Sequence, residues 1–213
     1  MNLADKYRPK SLADVVGQEK ATATLERLAR SGIGGRAYYI TGQSGTGKTT
    51  LAKIIASQVA DSAYTLEVVG RLLTPATLKT FVDHWPYSTL FGNSGYALIV
   101  NESHGMSKPV IEILLDVLEN LPGHVVVIFT TTKDAQTEIF EEKLDASPFM
   151  SRCLPIKLTS RGLCPLFAQR CKAIAEIEGL DGKPIESYQR LLKNVGNNFR
   201  AALQLIEAGQ MLG

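Results

Sequence analysis

The sequence predicts an α/β fold, in which a mainly parallel five-stranded sheet is flanked by helices and followed by a small domain of three helices. Two observations support this prediction. Up to Thr159, short apolar runs rich in β-branched residues alternate with segments of helical periodicity, as in βαβ units. Beyond Thr159 the strand signals stop and only helical patterns follow. We therefore divide the chain into an α/β domain, residues 1–158, and a helical domain, residues 159–213.

Each predicted strand is an apolar run, and the runs are residues 37–40, 64–69, 97–100, 125–129 and 154–158. Pro155 removes a backbone donor from the last run, which predicts a strand at the edge of the sheet. The helix after residues 97–100 is well delimited, with Ser107 at its cap, Pro109 in its first turn and Pro122-Gly123 at its end. The helical domain, called the lid below, has predicted helices at residues 163–177, 184–195 and 199–211.

Composition bounds the class of protein. The chain has 213 residues, 45% of them hydrophobic, and a net charge of +2, which predicts a soluble globular protein. That charge is too small to indicate nucleic-acid or membrane binding by itself. No apolar run has the character of a signal peptide or a membrane span, so we expect a cytoplasmic protein without a membrane partner. Cys153, Cys164 and Cys171 lack CxxC pairing, which argues against a disulfide framework or a four-cysteine zinc site.

The segment from Gly42 to Thr49 carries the most specific motif in the chain. It reads GQSGTGKT, which fits GxxxxGK[ST] at every fixed position, and it lies between a predicted strand and a predicted helix. Glycines let backbone amides turn inward around a phosphate chain, while Lys48 can reach the β- and γ-phosphates and the Thr49 hydroxyl can ligate Mg²⁺. The segment therefore predicts a P-loop NTPase with a nucleoside triphosphate and Mg²⁺ as ligands.

A second strand end carries the polar residues that such a site needs. Residues 97–100 are apolar and run into Asn101 and Glu102. Glu102 is a candidate to orient or deprotonate the water that attacks the γ-phosphate, and the alternative is a solvated strand-end carboxylate. Asn101 stands where such strands normally carry Asp, so it offers Mg²⁺ an oxygen without a charge. Two interpretations stay open: a slow ATPase, or a subunit that binds nucleotide and hydrolyses it poorly.

With the P-loop, the Glu-bearing strand and the trailing helices in this order, the chain resembles the AAA+ ATPases of the clamp-loader group, which includes the bacterial gamma/tau subunits and the small subunits of replication factor C. Residues 6–9 (KYRP) and 14–19 (DVVGQE) are similar to the N-terminal box of that group. The resemblance implies that this box packs around the adenine of ATP. The implied nucleotide-binding residues are Tyr7, Arg8, Val16, Gly17, Gln18, Gly42, Ser44, Gly45, Thr46, Gly47, Lys48, Thr49, Thr50 and Arg200.

The resemblance also implies the catalytic residues beside Glu102 and Lys48. Thr131 matches the sensor 1 position, although a threonine satisfied by local backbone is the alternative. Arg152, in the tripeptide SRC, matches an arginine finger that reaches the γ-phosphate of a neighbouring subunit. Arg200, in a segment similar to GxxRxAL, matches sensor 2, which couples nucleotide state to the lid. For either arginine the alternative is a solvated surface charge. The implied metal ligands are Thr49 and Asn101.

The implied partners are other AAA+ subunits in a homo- or hetero-oligomer, a sliding clamp and primer-template DNA. Arg71, Lys79 and Lys108 are candidates for DNA contact. The chain departs from the group because it has no four-cysteine module after the P-loop and carries an extra acidic stretch from Thr137 to Ser147. The collar domain of the group is not expected in this sequence, and two alternatives stay open: a fragment of a longer protein, or a natural short member. The alternatives to an ATPase module are a nucleotide-gated scaffold with negligible turnover, a stand-alone P-loop kinase and a Holliday-junction-type motor.

Overall fold

The computed structural model describes residues 2–87, 95–132 and 147–213. Its strands are β1 Arg36–Thr41, β2 Thr65–Val69, β3 Tyr96–Asn101, β4 Val125–Thr131 and β5 Cys153–Lys157. They form one sheet in the order β2-β3-β4-β1-β5, and every neighbouring pair is parallel. Each strand overlaps an apolar run of the sequence. The predicted α/β fold with a parallel five-stranded sheet is therefore confirmed.

Strand β5 lies at one edge of the sheet, as Pro155 predicts. Pro155 stands opposite Tyr39 of β1, and in the described part of the chain no strand pairs with the other side of β5. Because only one side of β5 is paired, the strand tolerates a residue that cannot donate a hydrogen bond. Cys153 and Ile156 turn into the core while Pro155 stays exposed.

Helices cover both faces of the sheet. Among the described residues, the α-helices outside the lid are α1 Leu3–Lys6, α2 Glu19–Ala29, α3 Lys48–Ser57, α4 Pro75–Val82, α5 Lys108–Glu119 and α6 Ser147–Ser151. On one face Leu25 of α2 and Ile55 of α3 are buried in an apolar cluster. On the other face a second cluster contains Leu78 of α4 and Leu114 of α5. Because both faces are covered, β3 and β4 are almost continuously apolar, which is typical of buried parallel strands.

The lid consists of α7 Leu163–Ile177, α8 Ile185–Asn194 and α9 Phe199–Glu207. Its core includes the buried side chains of Tyr188 and Leu192. Leu3 of α1 is buried in the same core, although the domain division made from the sequence places the N-terminus with the α/β domain. Helix α9 ends earlier than predicted because the chain turns at Gly209, which adopts a left-handed φ of 85°.

Four further features of the sequence are the helix cap at Ser107, the cysteines, the acidic stretch and the lack of a predicted membrane span. Ser107 occupies the N-cap position of α5, but its side chain makes no capping hydrogen bond. All three cysteine thiols are free, and burial raises the pKa of Cys153 and of Cys171 to about 12, so both stay protonated near neutral pH. The acidic stretch from Thr137 to Ser147 lies outside the described residues except for its last position. In the described ranges no helix has the length and apolarity to cross a bilayer.

Candidate functional site

The P-loop connects the carboxyl end of β1 to the start of α3. Gly45 and Gly47 adopt left-handed φ angles of 79° and 100°, which side chains with a Cβ rarely take. Gly47 immediately precedes α3, so the free backbone amides of the first helical turn face the loop. A helix N-terminus with its positive dipole end is a ready anion site.

Lys48 is buried within this loop, with 8% of its surface exposed. Its Nζ donates to the carbonyl oxygens of Gly42, at 2.9 Å, and Gln43, at 3.0 Å. Burial lowers the pKa of Lys48, the negative charge of Glu102 opposes that shift, and the positive charge of Arg200 adds to it. A lysine ammonium has three donors, so one remains for a ligand in the cleft.

Asn101, at the end of β3, is the centre of a hydrogen-bond chain. Its Oδ1 accepts from the hydroxyl of Thr49 at 3.1 Å and from that of Thr130 at 3.0 Å. Its Nδ2 donates to Glu67 Oε1 at 2.9 Å, and Glu67 Oε2 pairs with Lys53 Nζ at 2.8 Å. The predicted metal residues Thr49 and Asn101 are therefore in direct contact. Sequence reasoning missed Thr130 and Glu67.

Glu102 follows Asn101 with a left-handed backbone, φ 49° and ψ 53°, a conformation that few residues other than glycine adopt. Its Oε2 lies 3.5 Å from Nδ1 of His104. The same Nδ1 lies 3.0 Å from Oγ1 of Thr131, which is fully buried. His104 thus lies between the predicted water-activating carboxylate and the predicted sensor 1 residue, and it was not identified from the sequence. Neighbouring strand residues Thr130 and Thr131 point to opposite faces, so Thr130 serves Asn101 and Thr131 serves His104.

A cleft opens between the P-loop and the lid. Its lining contains many of the nucleotide-binding residues implied by the resemblance, namely Tyr7, Arg8, Val16, Ser44, Gly45, Thr46, Gly47, Lys48, Thr49, Thr50 and Arg200, together with Glu102. Phe167 and Phe199 of the lid add an apolar wall that the sequence reasoning had not assigned. Five of the predicted site residues are not among those that line the cleft: Gly17, Gln18, Gly42, Asn101 and Thr131.

Gln18 ties the N-terminal box to both domains. It is 3% exposed, its Nε2 donates to the Thr159 carbonyl at 3.0 Å, and its Oε1 accepts from the Thr159 amide at 2.9 Å. Gly17 has a left-handed φ of 76°, and a Cβ there would overlap the Leu163 side chain of α7. These two residues hold the box where the α/β domain joins the lid, which sets the position of one wall of the cleft.

The lid contacts the N-terminal segment through α7 and the P-loop through α9. Tyr7 donates through its hydroxyl to the Glu178 carboxylate at the end of α7, and Lys6 Nζ pairs with the same carboxylate at 2.7 Å. On α9, Asn198 caps the helix by accepting from the Ala201 amide at 3.2 Å. A Cβ at Gly45 would overlap the Asn198 side chain, so the P-loop and the first turn of α9, which carries Arg200, are in contact.

Arg152 does not line this cleft. Its guanidinium pairs with Glu119 at the end of α5, at 2.5 Å, and donates to the Pro148 carbonyl of α6 at 2.8 Å. The structure thus separates Arg152 from the other predicted catalytic residues of the same chain. The trans role predicted for Arg152 stays a prediction.

The site offers Mg²⁺ oxygen ligands without a carboxylate cluster. In residues 2–87, 95–132 and 147–213 no group of three His, Cys, Asp or Glu side chains could hold a metal ion. Thr49 Oγ1 and Asn101 Oδ1 lie side by side, and such oxygen donors suit a hard cation that takes its remaining ligands from phosphates and water. The residues present therefore fit Mg²⁺ carried in with a nucleotide.

Comparison with known proteins gives the same picture. Residues 38–146 match the family model described as ATPase family associated with various cellular activities (AAA). DNA polymerase III subunit tau of Salmonella typhimurium is 29% identical over 180 residues, which are 73% of this chain and 26% of that relative. The replication factor C large subunit of Methanosarcina mazei is 27% identical over 221 residues, 96% of this chain and 33% of that relative. The chain therefore spans about a quarter to a third of the length of these relatives.

Solved structures support the fold. The RuvB Holliday junction branch migration motor of Thermotoga maritima has a TM-score of 0.67 and 23% identity, over 94% of this chain and 64% of that chain. Another structure of Thermotoga maritima RuvB gives a TM-score of 0.73 at 21% identity. At such identity the likeness shows the fold alone. Because the family model covers more than half of the residues, this chain belongs to the AAA family of ATPases, and within it the chain is related to clamp-loader subunits.

Proposed function

We propose that the chain is an ATP-binding and ATP-hydrolysing AAA+ module of a clamp-loader assembly, active at the interface between subunits. The observation that carries this proposal is that Lys48, Thr49, Glu102 and Arg200 line one cleft. Buried Lys48 and the contact between Thr49 and Asn101 lie on the α/β side, and Arg200 enters from the lid.

Each residue then has a distinct task. Bound Mg-ATP supplies an electrophilic phosphorus and a metal charge. Lys48 and the first amides of α3 hold the phosphate chain. The negative charge of the phosphates compensates the buried ammonium and the positive end of the helix dipole. Thr49 and Asn101 orient the metal through neutral oxygens. Glu102 holds the attacking water and accepts its proton, while His104 keeps the Glu102 carboxylate in place.

The lid and a neighbouring subunit complete the site. Arg200 neutralises phosphate charge from the lid side. Nucleotide binding therefore stabilises the contact between the lid and the P-loop, which Asn198 and Gly45 make. Arg152 acts on the nucleotide of a neighbouring copy or of a related AAA+ subunit, and it must leave Glu119 to do so. The assembly that supplies this neighbour would act on a sliding clamp and primer-template DNA.

The experiment for this function separates binding from turnover. Glu102→Gln should leave the affinity for ATP within about threefold and reduce hydrolysis about 10²-fold or more, the usual range for loss of a general base. Glu112→Gln, an exposed glutamate on α5, is the matched control and should behave like the parent protein. Equal turnover of the Glu102→Gln variant and the parent would contradict the assignment.

A nucleotide-gated scaffold is the second candidate, and one observation favours it. Asn101 brings no charge to the metal side, and its Oδ1 already accepts two hydroxyl hydrogen bonds. Asn101→Asp combined with Glu67→Gln, so that no second carboxylate faces position 101, discriminates between the candidates. A large rise in hydrolysis would favour the scaffold, and an unchanged rate would favour an enzyme that works with asparagine.

The proposal includes DNA contact through three basic residues. Arg71, Lys79 and Lys108 are all exposed, as phosphate-binding residues must be. Ordinary solvated charges are the alternative, and the salt dependence of DNA binding separates the two. Removing each charge in turn should lower the affinity for duplex DNA and flatten its dependence on salt by about one unit of slope per contact. An unchanged salt slope in all three variants would remove this surface from the account.

A further inference from the structure

We propose that Glu67 on β2 is a positioning residue for the metal side of the nucleotide site. It fixes the orientation of the Asn101 carboxamide. It also supplies the negative charge that Asn101 lacks, from the position next to Asn101 in the hydrogen-bond chain. The inference rests on the proposed function, since it concerns the same Mg-nucleotide site. It adds a residue that neither the P-loop motif nor the clamp-loader resemblance points to.

The geometry of the amide carries the first step. Asn101 Nδ2 donates to Glu67 Oε1 at 2.9 Å, while Asn101 Oδ1 accepts from Thr49 at 3.1 Å. An ionised carboxylate can only accept hydrogen bonds, and only one end of a carboxamide can donate. The opposite orientation of the amide would place the Asn101 oxygen against the Glu67 carboxylate, and neither could donate. Glu67 therefore selects the orientation that turns the Asn101 oxygen to Thr49 and to the metal side.

The parallel register explains why Glu67 is in reach. Glu67 is paired with Ile99 and Val69 with Asn101. Residues two apart on a strand share a face, so Glu67 and Asn101 project from the same face of the sheet as diagonal neighbours. Diagonal neighbours are within reach of long side chains. Glutamate has this length, and aspartate at the same position would be one methylene shorter.

Helix α3 holds the other oxygen of Glu67. Lys53 Nζ lies 2.8 Å from Glu67 Oε2. Lys53 follows Thr49 by four residues, so both lie on one face of α3. Thr49, Asn101, Glu67 and Lys53 thus form a continuous chain from the P-loop to the surface. The competing explanation is an ordinary surface ion pair, because the side chains of Lys53 and Glu67 are 44% and 35% exposed.

Calorimetry with ADP separates these explanations without relying on turnover. The affinity is measured with Mg²⁺ and with EDTA, and the ratio reports the contribution of the metal. Glu67→Gln removes the charge and should lower this ratio about tenfold, the lower end of the effect usual for residues that orient metal ligands. Lys53→Met removes the ion pair and keeps the Glu67 carboxylate, so its ratio should equal that of the parent. An unchanged ratio in Glu67→Gln, or an equal loss in Lys53→Met, overturns the proposal.

An exchange of the two residues provides a second test. Asn101→Asp alone brings two carboxylates into contact, whereas Asn101→Asp combined with Glu67→Gln restores one carboxylate and one carboxamide. In the combined variant the ratio of ADP affinity with Mg²⁺ to that with EDTA should be at or above the ratio of the parent. It should also be above the ratio of Asn101→Asp alone. An effect of Asn101→Asp that is the same in both backgrounds overturns the coupling. If the folded parent binds no ADP in either buffer, the proposed function fails with it; if the parent binds and only Glu67→Gln is without effect, this inference alone fails.

Discussion

Thr130→Val should lower the affinity for Mg-ATP while leaving the fold almost intact. Thr130 is 1% exposed, and its hydroxyl donates to Asn101 Oδ1 at 3.0 Å. Valine keeps the shape and removes this hydrogen bond, which is worth about 1 kcal/mol for a neutral pair. Because Thr49 still donates to Asn101, no buried acceptor is left without a partner. The cost should be about 1 kcal/mol, or about 2–4 °C in Tm for a chain of this size.

Thr131→Val is the matched control, since Thr131 is equally buried and belongs to the same strand. Its hydroxyl lies beside His104 and not beside Asn101. Calorimetric titration with Mg-ATP should show affinity reduced about fivefold in Thr130→Val, the equivalent of about 1 kcal/mol, and unchanged in Thr131→Val. Turnover at saturating ATP should fall in Thr131→Val, because His104 then loses a partner near Glu102. Weakened Mg-ATP binding in Thr131→Val with normal binding in Thr130→Val would refute the assignment of the two hydroxyls.

Two further predictions concern the subunit interface and the N-terminus. Arg152→Ala should bind ATP normally and turn it over slowly. Mixing it with Glu102→Gln should raise turnover above the sum of the two, because one mixed interface then carries both intact residues; no gain on mixing would contradict the trans role of Arg152. The hydrogen bond from Lys6 lowers the pKa of Glu178 below its ordinary 4.5, so the carboxylate stabilises the docked N-terminus above that pH and the effect is lost as pH falls through the lowered value. Glu178→Gln should reproduce the loss at neutral pH as faster amide exchange in residues 2–8, and equal exchange in variant and parent would contradict the docking.

The fold was predictable because its signals are local. Apolar runs and turn residues locate every strand of the sheet, and Pro155 alone predicts which strand lies at an edge. The P-loop is likewise contiguous in sequence, so its residues need no tertiary information. The predicted length of α9 was wrong because the apolar pattern continues past Gly209, where the backbone turns.

The residues missed in the site depend on register. Glu67 reaches Asn101 only because β2 pairs with β3 in one alignment, and a shift by one residue would turn its side chain to the other face. Thr130 lies one residue beyond the pair formed by Val100 and Phe129, which places it next to Asn101. His104 depends on the left-handed turn at Glu102, which no apolar pattern reports. Parallel registers are set by long crossover connections, and they cannot be read from any one segment.

The central claim is that a phosphate chain binds against Lys48 at the start of α3. Calorimetric titration of ATP with Mg²⁺ into the parent protein and into Lys48→Met tests it most directly. We predict binding by the parent and at least about a tenfold loss in the variant, since a hydrogen bond to a charged group contributes about 1.5–3 kcal/mol. Equal affinity of the two proteins for ATP, or no heat from the parent with either ATP or ADP, would contradict the account.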